Sequence, residues 1–177
     1  PAPPIPPTVF DHLPSPTGDI SAILRFAGAT SNNELSTQYS VRGGNFDENF
    51  VYINDVEIYR PILTRSGQQE GLSFPNPDMT ENIYFSTGGF EAKYGDKMSS
   101  VLDVRYKRPF KNRAIISMSL LGINLQAEGI TENMRFDWMI GIRQKSNRYL
   151  LNALDTKGDY TSSYTDIQGI FTYYLDE

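Results

Sequence analysis

The sequence contains no cysteine, a single histidine and no long apolar run. The lack of cysteine excludes a disulfide framework and a thiolate metal site. His12 lies in a proline-rich segment, where a solvated loop residue is the expected role, so neither residue type supplies a catalytic nucleophile or base. No stretch approaches the roughly 20 apolar residues of a membrane-spanning helix. These absences exclude an α-helical membrane protein, but a β-barrel membrane protein stays open because its strands alternate apolar and polar residues.

Basic residues are too few and too scattered for nucleic-acid binding. The formal net charge is −5, and the 16 lysines and arginines form no basic stripe. We therefore expect no nucleic-acid partner. The first residues, PAPPIPPTVF, have neither a cationic start nor an apolar core, so they predict no signal peptide. The chain is expected to be either cytosolic or a processed or trimmed exported protein.

Glycine-rich and acidic stretches are the remaining places for chemistry. Val41–Gly44 and Thr87–Gly89 match neither common phosphate-loop pattern and lead into no predicted helix. Four carboxylates that lie close in sequence match no calcium-loop spacing, so turn-forming or solvated roles are expected for them: Asp47, Glu48, Asp55 and Glu57. We predict a protein that is not an enzyme and has no cofactor or metal site.

The beginning of the chain consists of a proline-rich lead and a short predicted helix that ends at a glycine. Residues 1–16 are rich in proline and predict an extended lead, either a linker or a segment that binds a protein partner. An apolar stripe predicts one short helix over Ile20–Ala27, capped by Thr17 or Asp19 and ended by Gly28.

The segment from Tyr39 to Pro61 predicts a hairpin. Two β-prone runs, Gln38–Arg42 and Asn49–Tyr59, flank a glycine turn at Gly43-Gly44-Asn45. Asn54-Asp55 is a second turn signal, within the later run.

A second glycine-punctuated segment follows. Ile83–Thr87 and Ser99–Tyr106 predict strands joined by GGFEAKYGDKM, and Met79–Ile83 predicts one helical turn before them. Between the two segments, the irregular stretch Arg60–Asp78 is long enough to predict a functional loop.

The last third of the chain predicts three long strands, each with one bulky apolar face and one polar face. They span Ala114–Gly129, Met134–Arg143 and Ile167–Leu175. A tight turn at Thr131-Glu132-Asn133 joins the first two, and a long polar loop, Lys145–Ser163, joins the last two. Short turns, long loops and strands of about 9–11 residues are typical of an outer-membrane barrel wall. The alternative is an antiparallel sheet on a soluble core.

The pieces of the first half follow one another in a characteristic order. A helix ends at Ala27-Gly28, a strand ends in Ser40-Val41-Arg42-Gly43, the next contains Ile53-Asn54-Asp55-Val56, and Tyr94-Gly95 precedes a last strand at Val101–Lys107. Over residues 15–109 this order resembles the plug domain of TonB-dependent outer-membrane receptors, although Ala27 replaces a usual proline and Asp55 a frequent glycine. The resemblance implies structural and gating roles for nine plug-motif residues: Arg42, Gly43, Gly44, Asn54, Asp55, Gly88, Gly89, Tyr94 and Gly95.

The resemblance also implies a fold and a domain division. We expect an α+β plug domain over 17–109, a small mixed sheet with one or two short helices, after the lead of residues 1–16. Antiparallel strands of an outer-membrane β-barrel are expected over 110–177. Strands at Gln38–Arg42, Phe50–Ile58 and Val101–Lys107 would form the plug sheet. Because family barrels have roughly 22 strands, the chain is expected to be a fragment of a longer receptor.

The family's activity implies a location and a function. The receptor would lie in the outer membrane of a Gram-negative bacterium, where a plug facing the periplasm gates TonB-energised uptake of a bulky nutrient. Implied partners are a TonB-type energy-transducing protein, which would bind a segment not present here, the outer-membrane lipid bilayer, and a lipoprotein or a larger outer-membrane complex. Arg42 would bind carboxylates of the lumen wall, and a loop would face the ligand with Arg60, Arg65, Gln68 and Gln69. The alternative is a non-transporting plug-like module that seals or scaffolds an outer-membrane complex.

Overall fold

The computed structural model describes residues 5, 20–30, 38–59, 74–95, 99–119, 122–146 and 163–175. These residues are mostly β-strand, in two four-stranded sheets, with very little helix. The chain divides into two compact units, Pro1–Lys107 and Arg108–Glu177, and each contains one sheet. Within the described ranges, no helix is long and apolar enough to cross a bilayer. The assignment of a plug to 17–109 and of barrel strands to 110–177 stays a prediction.

The first unit contains a short amphipathic helix, α1 (Ile20–Phe26). The helix was predicted over these residues and is confirmed. Thr17 and Asp19, its predicted caps, lie outside the described residues. Three side chains of its apolar stripe are at most 2 % exposed and form part of the core of this unit: Ile20, Ile23 and Leu24.

Gly28 ends α1, as the sequence predicts. Its φ is 97°, a left-handed conformation that glycine adopts without strain. The amide of Gly28 donates to the carbonyl of Arg25, and the amide of Ala29 donates to the carbonyl of Leu24. This Schellman arrangement satisfies the last carbonyls of the helix and redirects the chain.

The first sheet has the strand order β2-β1-β4-β3. Strand β4 pairs in parallel with β1 and antiparallel with β3, so it is an inner strand, and most of its side chains are buried. Its predicted position at Ser99–Tyr106 is confirmed, whereas its neighbour, predicted at Ile83–Thr87, begins three residues earlier, at Thr80, and ends at Ser86. The four strands are β1 (Asn49–Ile53), β2 (Val56–Glu57), β3 (Thr80–Ser86) and β4 (Ser100–Tyr106).

The predicted hairpin around Gly43 is wrong. Residues 38–42 form no strand, and Ser40 instead makes an isolated bridge with Thr30. A 3₁₀ turn over Phe46–Glu48 redirects the chain, after which β1 pairs in parallel with β4. The two β-prone runs therefore never face each other, and the strand Gln38–Arg42 expected in the plug sheet is absent.

The hairpin of this segment joins β1 to β2. Its loop is the two residues Asn54-Asp55, whose φ angles of 48° and 66° are those of a type I′ turn. The amide of Asn54 donates to the carbonyl of Val104 at 3.0 Å, and its side chain accepts from the amide of Tyr106 at 2.9 Å. These bonds fasten the turn to β4.

The helical turn predicted at Met79–Ile83 lies two residues earlier. A 3₁₀ turn spans Pro77–Met79, and β3 already begins at Thr80. Proline presets the helical φ at the start of the turn, and the side chain of Asn76 caps it by accepting from the amide of Asp78 at 3.1 Å.

The second sheet is an antiparallel meander in the order β5-β6-β7-β8. Its strands are β5 (Arg113–Ser119), β6 (Gly122–Ile130), β7 (Phe136–Ser146) and β8 (Ser163–Tyr173). The sequence predicted three strands, and this count is wrong because the segment Ala114–Gly129 is two strands of a hairpin. Residues 147–162, most of the predicted polar loop, lie outside the described residues.

The tight turn between β6 and β7 is confirmed, with a shifted end. The amide of Met134 donates to the carbonyl of Thr131 at 2.9 Å. Met134 has a φ of 54° and belongs to this turn, whereas the sequence placed it in the following strand. The side chain of Asn133 accepts from the amide of Arg135 at 3.2 Å, so the turn satisfies its own polar groups.

Candidate functional site

One face of the second sheet, the apolar face, consists almost entirely of aliphatic and aromatic side chains. Cross-strand pairs such as Leu125 with Ile142 and Ile142 with Ile167 continue this face from strand to strand. Much of it is exposed, with Ile167 at 70 % and Phe171 at 64 %. Its aliphatic and aromatic residues are Ala114, Ile116, Met118, Ile123, Leu125, Ala127, Phe136, Trp138, Ile140, Ile142, Ile167, Phe171 and Tyr173. Gly129, Gly169 and, at one end, the pairs Gln144–Thr165 and Ser146–Ser163 lie on the same face.

The opposite face, the polar face, carries charged and amide side chains that are mostly buried. Seven of its members are Arg113, Gln126, Glu128, Asp137, Arg143, Asp166 and Gln168. All of these except Arg113 are at most 9 % exposed. Soluble proteins bury apolar residues and leave charges in water, so this sheet has the reverse distribution. An environment less polar than water is therefore expected on its apolar face.

The buried charges of the polar face are paired. In the Arg143–Asp166 pair, Nε and Nη2 of the guanidinium lie 2.9 and 2.6 Å from Oδ2 of the carboxylate, and both side chains are at most 8 % exposed. Gln168 donates to the same oxygen at 3.0 Å. Arg113 and Glu128 form a second pair at 2.8 Å. Both pairs join residues that are directly opposite on neighbouring strands, so they also fix the strand register.

In the first unit, Arg105 connects the β1–β2 turn to β4. Its guanidinium donates twice to the carboxylate of Asp55, once at 2.6 Å, and its Nη2 lies 2.8 Å from Oδ2 of Asp103. The hydroxyl of Tyr94 donates to the same oxygen of Asp103 at 2.7 Å. Arg105 thus ties the β1–β2 turn to β4, and Asp103, which is 4 % exposed, ties the segment of Tyr94 to the same strand.

The electrostatics of this cluster follow from its hydrogen bonds. The hydrogen bonds from Arg105 lower the pKa of the Asp55 carboxyl, because they stabilise its charged form. Burial raises the pKa of the Tyr94 hydroxyl. Tyrosine is protonated at neutral pH in any case, so the hydroxyl can donate to Asp103.

We expect Asp55→Asn to make stability less dependent on acid pH. A carboxyl whose pKa is lower in the folded state stabilises the fold above its unfolded pKa of about 3.9, and this contribution is lost as the pH falls through the folded value. Denaturant midpoints of the purified protein from pH 6 down to pH 2 should fall less steeply for Asp55→Asn. Glu57→Gln, which removes a nearby carboxylate of β2, should keep the parental slope. Equal slopes for all three proteins would contradict the assignment.

Arg42 and Gly43 form a tight turn with φ angles of 51° and 80°, closed by a 3.0 Å hydrogen bond from the amide of Gly44 to the carbonyl of Val41. Glycine is the residue that takes this conformation at no cost, whereas a left-handed arginine is strained. Such strain is typical of positions whose side chain has a function.

Gly44 is required for a different reason, which is space. A Cβ atom at this position would lie 1.8 Å from Oγ of Ser99 and 2.7 Å from Oε2 of Glu48. These two side chains share a hydrogen bond of 2.7 Å that ties the turn to the residue before β4. A side chain at this position would therefore require Ser99 and Glu48 to shift.

The Arg42 side chain borders an open cleft of about 540 Å³. The guanidinium lies beside Gly88, where an added Cβ would come within 3.2 Å of Nη1. Among the described residues of the lining, Arg42 is the charged one, so the cleft can receive an anionic group. The other lining residues are Ala27, Phe85, Ser86, Thr87 and Gly89.

Six of the nine plug-motif residues fall into two groups. Arg42, Gly88 and Gly89 meet at the cleft, whereas Asn54, Asp55 and Tyr94 are fastened to β4. Gly95 follows Tyr94 and has open space where a Cβ would be. The structural and gating roles of all nine stay predictions. The predicted ligand-facing residues lie outside the described residues: Arg60, Arg65, Gln68 and Gln69.

Sequence reasoning missed the residues that hold these groups together. Asp103 and Arg105 were counted only as part of a strand, and Arg143 and Asp166 only as polar-face residues. A charge inside the aliphatic run SVLDV was the available signal, because a buried carboxylate needs a partner. In the part of the chain that the structure describes, no group of three or more ligating side chains could hold a metal ion. The absence of an enzymatic role stays a prediction.

A small mixed sheet with one short helix, followed by an antiparallel meander whose apolar face is exposed, has the architecture of an outer-membrane transporter. Such a protein is found among the solved structures: the crystal structure of the outer membrane transporter YddB from Escherichia coli has a TM-score of 0.59 and 14 % sequence identity. The similarity covers 97 % of this chain and 30 % of that one, so this chain spans less than a third of its length. No protein-family model and no curated protein sequence matches the chain.

Proposed function

We propose that the chain contains the plug and the first wall strands of an outer-membrane receptor that takes up a bulky nutrient. The observation that carries this proposal is the reversed second sheet, with exposed aliphatic rows on one face and buried, paired charges on the other. Lipid is the environment that makes such a distribution stable, because it solvates the apolar face and leaves the charges to the barrel interior. The fold shared with an outer-membrane transporter supports the same conclusion.

In this proposal the first unit is the plug that closes the lumen. Ligand would contact the loop that carries Arg60, Arg65, Gln68 and Gln69 and shift the plug. A TonB-type energy-transducing protein would then pull from the periplasmic side and open a path. Arg42, strained and next to an open cleft, would bind a carboxylate of the lumen wall and hold the closed position. A lipoprotein or a larger outer-membrane complex would be a further partner.

A single-cysteine scan along β7 tests the membrane location. The chain has no native cysteine, so each position from Phe136 to Gln144 can be replaced and spin-labelled in the whole receptor in phospholipid bilayers. Even-numbered positions on the apolar face should be accessible to oxygen, which concentrates in lipid, and poorly accessible to a water-soluble nickel chelate. Odd-numbered positions, on the polar face, should not combine high accessibility to oxygen with low accessibility to the nickel chelate. Equal accessibility to the nickel chelate on both faces would contradict the proposal and favour a sheet in water.

Uptake measurements test the transport part of the proposal. Cells with and without the gene should differ in accumulation of at least one radiolabelled compound from a set of siderophores, vitamins, peptides and glycans. The difference should vanish when the proton gradient across the inner membrane is dissipated. A receptor that passes the lipid test but supports uptake of none of these compounds would instead fit the non-transporting module.

A further inference from the structure

The proline-rich lead meets the first sheet at the one residue of the lead that the structure describes, Ile5. Ile5 and Ile83 form an isolated antiparallel bridge on β3. The amide of Ile5 donates to the carbonyl of Ile83 at 2.8 Å, and the amide of Ile83 donates to the carbonyl of Ile5 at 3.2 Å. Both bonds of a hydrogen-bonded antiparallel pair are therefore present. We call this contact the Ile5–Ile83 pair.

The Ile5–Ile83 pair lies on the longer outer strand of the first sheet. In the order β2-β1-β4-β3 the two outer strands are β2, with two residues, and β3, with seven. A long outer strand presents a row of backbone amides and carbonyls with which another polypeptide strand can pair, whereas a very short one does not. In the described part of the chain, Ile5 is the only residue that pairs with β3 on its outer side.

Two features keep the pair from extending into a longer ladder. Hydrogen-bonded positions of an antiparallel pair recur every second residue, so the position opposite Phe85 is position 3. Pro3 has no amide and cannot donate to the carbonyl of Phe85. In the other direction position 7 is also a proline, and the register of β3 shifts between Thr80 and Asn82, as in a β-bulge. One complete pair of hydrogen bonds is therefore what the lead can form at this edge.

A contact of this size is weak, but it lies where it obstructs the whole strand. One net hydrogen bond shifts an equilibrium by only roughly 2- to 12-fold, so two such bonds open far more readily than the ladders on both sides of β4. Ile83 is also the middle residue of β3 (Thr80–Ser86). A second strand could not pair along β3 while Ile5 occupies this position.

We propose that the lead is a reversible cover for the outer edge of β3, held by Ile5, which keeps this edge from pairing with an extended segment of another polypeptide. Such a segment would differ from the lead by having amides at alternate positions, so it would form a longer ladder once the lead is displaced. The inference concerns the first unit alone and does not depend on the proposed transport function.

Amide hydrogen exchange of the whole receptor tests the pairing. Ile5→Pro removes the donor of the 2.8 Å bond and should speed exchange of the Ile83 amide by roughly 2- to 12-fold, the effect of one net hydrogen bond. Exchange at Val104, in the inner strand β4, should not change. Ala2→Pro is the matched control, because its odd spacing from Ile5 is outside the hydrogen-bonded register, and it should leave both rates unchanged.

Pro3→Val should have the opposite effect. It supplies an amide two residues from Ile5, so the lead can also donate to Phe85, and exchange of the Ile83 amide should slow by a similar factor. Pro4→Val adds an amide outside that register and is the control for this variant. Because Pro3→Val adds a bond rather than removing one, it tests the pairing even if Ile5→Pro does not fold.

A probe peptide tests the role as a cover. The probe is a fluorescently labelled peptide of residues 1–9 that carries Pro3→Val and Pro7→Val, and its binding to the whole receptor is measured by fluorescence anisotropy. It competes with the lead for one edge, so its apparent affinity should be higher for the Ile5→Pro receptor than for the parent, by the same factor as the change in Ile83 exchange. A peptide with the parental sequence should bind more weakly than the probe.

Three results would overturn the proposal. If Ile5→Pro accelerates exchange at Ile83 and Val104 equally, the pair belongs to the cooperative core and is not a reversible cover. If neither Ile5→Pro nor Pro3→Val changes exchange at Ile83, the lead does not hold this edge. If the probe binds both receptors equally, or neither of them, the edge is not one that the lead protects. The membrane location is tested separately, by the cysteine scan along β7.

Discussion

Replacing Arg143 with alanine should destabilise the folded protein by about 3–5 kcal/mol, the usual effect of removing one partner from a buried ion pair. Asp166 would keep its charge in a position where it is 9 % exposed, with Gln168 as a remaining donor at 3.0 Å. Water cannot replace the guanidinium at so buried a carboxylate without opening the sheet. The measurement is denaturant unfolding of the purified receptor in detergent micelles or bilayers.

The double variant Arg143→Met/Asp166→Leu is the matched control. Because it removes both charges and keeps most of the volume, its stability should lie much closer to that of the parent, as replacement of a buried ion pair by apolar residues often does. Asp166→Asn alone should also be destabilising, because it removes the negative charge that Arg143 is paired with. If Arg143→Ala and the double variant were equally unstable, the loss would come from packing, and the ion pair would not be the element that holds β7 to β8.

The sequence predicts the elements of the first unit better than their pairing. Apolar spacing and Gly28 are local signals, and α1 forms where they predict it. Asn54-Asp55 forms its turn for the same local reason. The parallel pairing of β1 with β4 depends on contacts about fifty residues apart, which no local pattern contains. A hairpin around Gly43 was therefore predicted, although the 3₁₀ turn at Phe46–Glu48 prevents it.

The candidate site was predicted in the same uneven way. Arg42, Gly88 and Gly89 were singled out separately, but only the fold brings them to one cleft. Asp103 and Arg105 were not singled out, because alternation along β4 says nothing about which charges will meet. In the second sheet, alternation predicts which residues share a face, and the register confirms this for β6, β7 and β8. It does not predict which face is buried, since a strand on a soluble core has the same period.

Ile142→Lys should cost about 2–4 kcal/mol, because a lysine near the middle of the lipid-facing band is expensive to bury. Ile142 lies on the apolar face between Leu125 and Ile167, within the aliphatic rows of that face. If the face were in water, the same substitution would place a charge on a solvated surface and change stability by less than about 0.5 kcal/mol. Unfolding free energies in phospholipid bilayers, measured by denaturant titration, distinguish these values.

Gln144→Lys is the control for depth, on the same strand and the same face as Ile142. Near the interface a lysine costs only about 0–1 kcal/mol, because its ammonium group can reach the headgroups. The difference between the two variants is the informative quantity, since each adds one lysine to β7 and any effect on strand propensity largely cancels. In a soluble form of the protein, prepared without lipid or detergent, the two variants should have equal unfolding free energies relative to the parent. Equal costs in bilayers would place both residues in one environment, and the aliphatic rows of the second sheet would then have to be covered by protein.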